Sequence, residues 1–163
     1  MPSHLDAVLA HLDANQKPIL DRLCDLLRIP SVSTDPAHAA DVARCAEWLV
    51  RDLRTMGFNA TSVPTQGHPM VLAHHPGPQG FDGPRVLYYG HYDVQPADPL
   101  ELWNTPPFEP AIVDGPHGKR VVARGAVDDK GQVMTFIEAF RAWHAVAGGP
   151  PCPVTVMLEG EDI

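Results

Sequence analysis

Basic side chains are scarce in this sequence: 12 Lys and Arg stand against 20 Asp and Glu, giving a formal net charge of -8 over 163 residues. Binding to nucleic acid needs a basic footprint that neutralises phosphates, so no nucleic-acid partner is expected. No apolar run approaches the roughly 20 residues that a membrane span requires, and no membrane partner is expected either. The opening Met1-Pro2-Ser3-His4-Leu5-Asp6 has neither the positive n-region nor the apolar h-region of a secretory signal, which makes a cytoplasmic address the expectation. Cysteine is sparse as well. Three widely spaced cysteines, an odd number, do not build a disulfide framework. Cys24 and Cys45 fall on apolar helical faces and read as small core residues, while Cys152 sits between prolines ahead of a strand. A nucleophilic serine elbow and a phosphate-cradling glycine loop are both missing, which disfavours acyl-enzyme and nucleotide chemistry.

What is present has α/β order. Leu5, Leu9 and Leu12, then Ile19, Leu20, Leu23, Leu26 and Leu27, recur at helical spacing, which predicts two short helices or one broken helix with Pro18 in a first turn. Val42, Cys45, Ala46, Leu49 and Leu53 define another helix, ended by Gly57. A further helix is predicted from about Lys130 to Val146, with Val133, Phe136, Ile137 and Phe140 facing a sheet. Strands are predicted near 58–63, 70–74, 86–89, 111–113, 121–123 and 154–158. The 18 prolines cluster in connections, and Asp114-Gly115-Pro116-His117-Gly118 reads as a hairpin turn. Trp103 and Phe108 lie in a Pro-rich loop, where aromatics line a substrate approach or pack the loop down.

Two clusters carry chemistry. His91-Tyr92-Asp93 closes the apolar run Val86-Leu87-Tyr88-Tyr89, whose continuity suggests a strand buried on both faces. Residues two apart on a strand share a face, so His91 and Asp93 point the same way. That arrangement suits a metal ligand and its orienter, because a ligating His commonly gives its other ring N–H to a carboxylate. Asp128-Asp129 before Lys130-Gly131 would alone read as a helix N-cap with a solvated first turn. Since both clusters follow β-like runs, Asp128 becomes a source of oxygen for the same ion, or a bridge between two, in the crevice beyond strand carboxyl ends where α/β sheets bind ligands. The other eight histidines have no comparable acidic context and read as surface or structural residues.

Gly90-His91-Tyr92-Asp93-Val94-Gln95-Pro96, then Trp103-Asn104-Thr105-Pro106-Pro107-Phe108-Glu109-Pro110, then Arg124-Gly125-Ala126-Val127-Asp128-Asp129-Lys130-Gly131 resemble the di-zinc metallopeptidase family of aminoacylases, acetylornithine deacetylases, succinyl-diaminopimelate desuccinylases, carboxypeptidase G and carnosinase-type dipeptidases, with the dipeptidase branch the best likeness. Ile29-Pro30-Ser31-Val32-Ser33 fits that family's opening. The resemblance implies a mixed, mostly parallel sheet flanked by helices. It implies that His91 binds one zinc, that Asp93 orients it, and that Asp128 bridges two zinc ions with a cis Asp128-Asp129 peptide. Cobalt or manganese would suit the same N/O ligands. The implied activity is hydrolysis of peptide or N-acyl amide bonds, with a dipeptide or N-acyl amino acid as substrate.

The third motif departs from the family pattern. After Val154 to Leu158, relatives continue with acids that supply a general base and a zinc ligand, whereas this sequence reads Glu159-Gly160-Glu161-Asp162-Ile163. Aligned without a gap, Asp162 takes the base position and Ile163, which has no lone pair to offer, the ligand position. A shift by one would make Glu161 the base and Asp162 the ligand, at the cost of a deletion in a collinear match. By the resemblance, residues 1–163 are the N-terminal half of a catalytic domain, without the lid and dimerisation domain and the returning catalytic half. The isolated chain is then expected to be inactive, with a homodimer expected only of the full-length form. Three readings stay open: a dipeptidase or N-acyl amino acid deacylase, a non-catalytic remnant acting as a scaffold or binding module, and an unrelated domain that binds one metal through His91 and Asp128.

Overall fold

The computed structural model describes residues 4–161 of the chain. Two helices open it, α1 (His4–Ala14) and α2 (Gln16–Leu27), separated at Asn15, whose side-chain amide donates to the His11 carbonyl at 2.7 Å. Pro18 sits in the first turn of α2, where a missing N–H costs no helical bond. Asp35 accepts the Ala37 amide at 2.9 Å and caps a 3-10 turn, Pro36–His38, that leads into α3 (Ala39–Arg54). In α3 the residues Val42, Cys45, Ala46, Leu49, Val50 and Leu53 form a continuous buried stripe at helical spacing.

Six strands follow: β1 (Asn59–Val63), β2 (Met70–His75), β3 (Val86–His91), β4 (Ala111–Gly115), β5 (Gly118–Val122) and β6 (Val154–Glu159). Helix α4 (Lys130–Ala147) lies between β5 and β6 and ends at Gly148, whose φ of +79° suits a residue without Cβ. β4 and β5 form a separate hairpin at the predicted turn. The main sheet has the order β1-β2-β6-β3.

The α/β class and the mixed sheet agree with the sequence reading, but the parallel share is smaller than expected. Of the three ladders only β3–β6 is parallel, while β1–β2 and β2–β6 are antiparallel. Parallel neighbours need a long crossover, which α4 provides between β3 and β6, whereas the short link from β1 to β2 permits only a hairpin. β6 is paired on both sides. One further expectation is corrected. β3 is not buried on both faces, since Leu87 is 64% and Tyr89 55% exposed.

The reason is that the helices cover one face. Ala60, Val71, Ala73, Tyr88, Val154, Val156 and Leu158 point into a single core with Leu26 of α2, the α3 stripe, and Val133, Ile137 and Phe140 of α4. Each fully buried aliphatic side chain there contributes about 1.5–3 kcal/mol. Phe136 is partly exposed and stacks on Tyr88 at 3.9 Å between ring centroids. On the opposite face Leu72, Met157 and Tyr89 stand in cross-strand register, with Leu87 beside them.

Charged groups tie the helices together beneath this core. Arg22 of α2 donates two bonds of 2.7 Å to the buried Glu138 of α4. Arg141 donates to Glu138 at 3.2 Å and to both oxygens of Asp52 on α3 at 2.6 Å. Burial pushes the Asp52 carboxyl upward, against the pull of Arg141. Such a network is costly to open, because each remaining partner would be buried and unpaired.

Candidate metal and catalytic site

The site begins where β3 ends, beside the parallel end of β6. His91 is paired with Glu159 in the ladder, and the next amide, Tyr92, donates to the Glu159 carbonyl at 2.8 Å. The segment Ser31–Ser33 runs along the outgoing chain. Val94 donates its amide to the Ser31 carbonyl at 2.9 Å, the Ser31 hydroxyl donates to the Tyr92 carbonyl at 2.7 Å, and Val32 forms a parallel bridge with Val94.

Three of the sequence-predicted site residues come together here. His91 Nδ1 lies 3.1 Å from Asp93 Oδ1, and His91 Nε2 lies 3.1 Å from Asp128 Oδ1. Asp93 is fully buried and also accepts the Ser33 hydroxyl at 2.6 Å, while the Asp128 side chain is 75% exposed. If the ring gives its Nδ1–H to the buried Asp93, the Nε2 lone pair faces a carboxylate, and two acceptors that close require a proton or a metal cation between them. Ligands about 2.0–2.2 Å from one tetrahedral zinc stand roughly 3.4 Å apart, so the spacing fits a shared ion. His91 and Asp128 thus fit part of an N/O metal shell. Among the described residues no group of three or more His, Cys, Asp or Glu is arranged to hold a metal.

The acidic pair does not behave as a solvated N-cap. Asp129 occupies the N-cap position of α4 without a side-chain cap bond, and its Oδ2 instead accepts the His91 backbone amide at 3.0 Å. The expected cis peptide is present between Asp128 and Asp129. Gly90 makes room for this contact, since a Cβ there would meet Asp129 Oδ2 at 2.7 Å. Lys130 is wholly buried, and its ammonium donates to the carbonyls of Ile29 at 2.6 Å and Leu26 at 3.2 Å, at the end of α2. A cation suits those carbonyls at a helix C-terminus, although burial lowers the lysine's affinity for its proton.

Asp162, the candidate base, lies outside the described residues, as does Ile163. Glu161 is held elsewhere than on His91: its Oε1 accepts the His68 amide, packed against Gly67. Trp103 packs its loop down by donating to the Ala97 carbonyl at 2.8 Å, with the Arg124 guanidinium over its ring. Cys24 and Cys45 are core residues whose thiols burial pushes up, as their helical positions suggested. Sequence reasoning missed Ser33, Asp129 and Lys130 as parts of the site. Their only signal was their place inside the motifs that carry the family likeness.

Residues 87–162 match the family described as Peptidase family M20/M25/M40. The fold is that of M20 peptidase domains. Human carnosine dipeptidase 1 superposes with a TM-score of 0.85 at 30% identity, covering 96% of this chain and 34% of that one. The dipeptidase of Saccharomyces cerevisiae superposes with a TM-score of 0.83 at 28% identity, covering 98% and 35%. In sequence the chain is 32% identical over 152 residues to the cysteinylglycine-S-conjugate dipeptidase of Corynebacterium striatum, covering 93% of this chain and 32% of the relative. It is 29% identical over 137 residues to the succinyl-diaminopimelate desuccinylase of Burkholderia ambifaria, covering 84% and 34%. This chain is thus similar to M20 peptidases, and it spans about a third of the length of the curated relatives it matches.

Proposed function

We propose that this chain carries part of the active site of a zinc-dependent hydrolase of peptide or N-acyl amide bonds, with a dipeptide as the favoured substrate. The observation that supports the reading best is the His91 ring held between two carboxylates, one buried and one exposed, at the carboxyl end of β3. The buried Asp93 fixes the ring and makes the coordinating nitrogen more basic. The exposed Asp128 offers its oxygens to the same ion and is the candidate bridge between two. Zinc, when bound, would supply Lewis-acid polarisation of the scissile carbonyl, and cobalt or manganese would suit the same donors. Asp162, in the ungapped alignment, is the candidate for proton transfer to the leaving amine, with Glu161 the candidate under a shift of one. In this reading residues 1–163 are the N-terminal half of a cytoplasmic catalytic domain, and dimerisation belongs to the longer form. The kinship with a desuccinylase supports an N-acyl amino acid as the second substrate class. The incomplete donor set among the described residues favours, as the second reading, a non-catalytic binding module.

The test is a chimera of this chain with the part of the Corynebacterium striatum dipeptidase that it does not cover. Hydrolysis of dipeptides that is lost on chelation and on His91→Ala is the expected result. A folded chimera that hydrolyses neither dipeptides nor N-acyl amino acids, or one that chelation and His91→Ala leave untouched, would overturn it.

A further inference from the structure

We propose that Ser33 is a positioning residue for His91, acting through Asp93. The Asp93 carboxylate is fully buried and has one oxygen on the His91 ring at 3.1 Å and the other on the Ser33 hydroxyl at 2.6 Å. A carboxylate can turn about its own Cβ–Cγ bond. The Ser33 hydroxyl restrains that turn from the side away from the ring, at a carboxylate that solvent does not reach. The orientation of the carboxylate in turn selects which ring nitrogen carries the proton, and so which nitrogen is left for an ion shared with Asp128.

The bond is separable from the pairing that holds the segment. The Ser31 carbonyl, the Ser31 hydroxyl and the Val32–Val94 bridge attach Ser31–Ser33 to the outgoing chain without any contribution from the Ser33 side chain. Ser33 also reaches the third motif. Its carbonyl accepts from His68 Nε2 at 2.9 Å, and the His68 amide donates to Glu161. Separate hydrogen bonds, on backbone and side-chain atoms in turn, therefore link Glu161 to His68, His68 to Ser33, Ser33 to Asp93 and Asp93 to His91. The Ile29–Ser33 motif, otherwise only a family marker, acquires a chemical role.

The inference rests on the proposed metal reading for its consequence, but not for its geometry, and two readouts separate them. Long-range proton–nitrogen NMR of the neutral His91 imidazole, in an Asp128→Ala background that removes the carboxylate facing Nε2, reports the tautomer without any metal. With Ser33 in place, that background is expected to hold the Nδ1–H form. Ser33→Ala should give a mixture of tautomers, and Ser33→Thr, which keeps the hydroxyl, should restore the single form. Ser31→Ala serves as the structural control and should alter stability without altering the tautomer. Should Ser33→Ala fail to fold, Ser33→Cys, a near-isostere with a weak donor, takes its place. In zinc titrations the same loss should weaken binding about 10- to 100-fold, the usual effect of removing an outer partner of a ligand. An unchanged tautomer in folded Ser33→Ala or Ser33→Cys overturns the proposal whatever zinc does. A shifted tautomer supports it even if neither protein binds zinc, in which case the metal reading alone falls.

Discussion

The His91 backbone amide donates to Asp129 Oδ2 at 3.0 Å, so the residue that follows candidate ligand Asp128 holds candidate ligand His91 in place. One side chain thereby fixes the distance between two chain segments that are 37 residues apart at His91 and Asp128. The contact exists because Gly90 has no Cβ. Alanine at that position would meet Asp129 Oδ2 at 2.7 Å and Val133 at 3.1 Å.

Gly90→Ala is accordingly expected to destabilise the chain by about 1–3 kcal/mol, the range for overpacking a well-filled site. Asp129→Ala should cost about 1–3 kcal/mol through the unsatisfied His91 amide, whereas Asp129→Asn keeps an acceptor and should cost less. Urea denaturation followed by circular dichroism measures both. Equal stability of Asp129→Ala and the unsubstituted chain would show that the amide finds another partner.

A pH dependence follows from His75, which lies at the other end of the sheet. Its Nδ1 accepts the Gly77 amide at 3.0 Å, its ring packs edge-on against Phe58 at 5.3 Å, and burial lowers its pKa from 6.5. The folded chain therefore binds this proton less readily than the unfolded chain. Stability from this group is fully present above pH 6.5 and falls as the pH drops toward the lowered folded value. His75→Asn keeps an acceptor near the Nδ1 position and cannot titrate. It should flatten the acid side of the stability profile between pH 7 and pH 5, as measured by thermal denaturation. An identical profile for both proteins would remove His75 from the account.

The helices and most strands were legible because their apolar periods differ and because Gly and Pro mark the connections. The stripe Val42 to Leu53 and the alternation in Val154 to Leu158 needed no tertiary information. The pairing of His91 with Asp93 was legible for the same reason, since a strand dictates that residues two apart share a face. Asp129, Lys130 and Ser33 were not legible, because polar residues near a helix start or in a loop normally face water. Here Asp129 reaches the His91 amide of β3 and Lys130 the carbonyls at the end of α2, which is a property of packing and not of local pattern. The exposed face of β3 was misread for a related reason. An unbroken apolar run signals burial on both faces only when something covers both, and the helices of the described residues share one side.

That open face carries a further expectation. Leu87, Tyr89, Met157 and Leu72 form an apolar patch on the uncovered side of the sheet, next to the edge strand β3. Patches of this kind beside a strand with one open edge promote association. The chain is expected to self-associate at micromolar concentration despite its charge of -8. The double substitution Leu87→Lys with Tyr89→Lys should move it toward the monomer in size-exclusion chromatography with light scattering. A monodisperse monomer before substitution would mean that this face is tolerated by solvent.

Metal binding by the chain alone is expected to be weak. A zinc site normally has three or four protein ligands, and among the described residues the candidate set is His91 and Asp128, with Asp93 committed to the far ring nitrogen. Calorimetric titration with zinc should give a dissociation constant above the micromolar range, raised further by His91→Ala and by Asp128→Ala. Peptidase activity should then be negligible. If Asp162 is the base, it is one methylene shorter than a glutamate in the same place, and a displacement of about 1 Å alone costs on the order of a hundredfold in rate. A stoichiometric, submicromolar zinc site abolished by His91→Ala, or robust zinc-dependent dipeptide cleavage by the 163-residue chain, would show that the ligand set is completed within these residues.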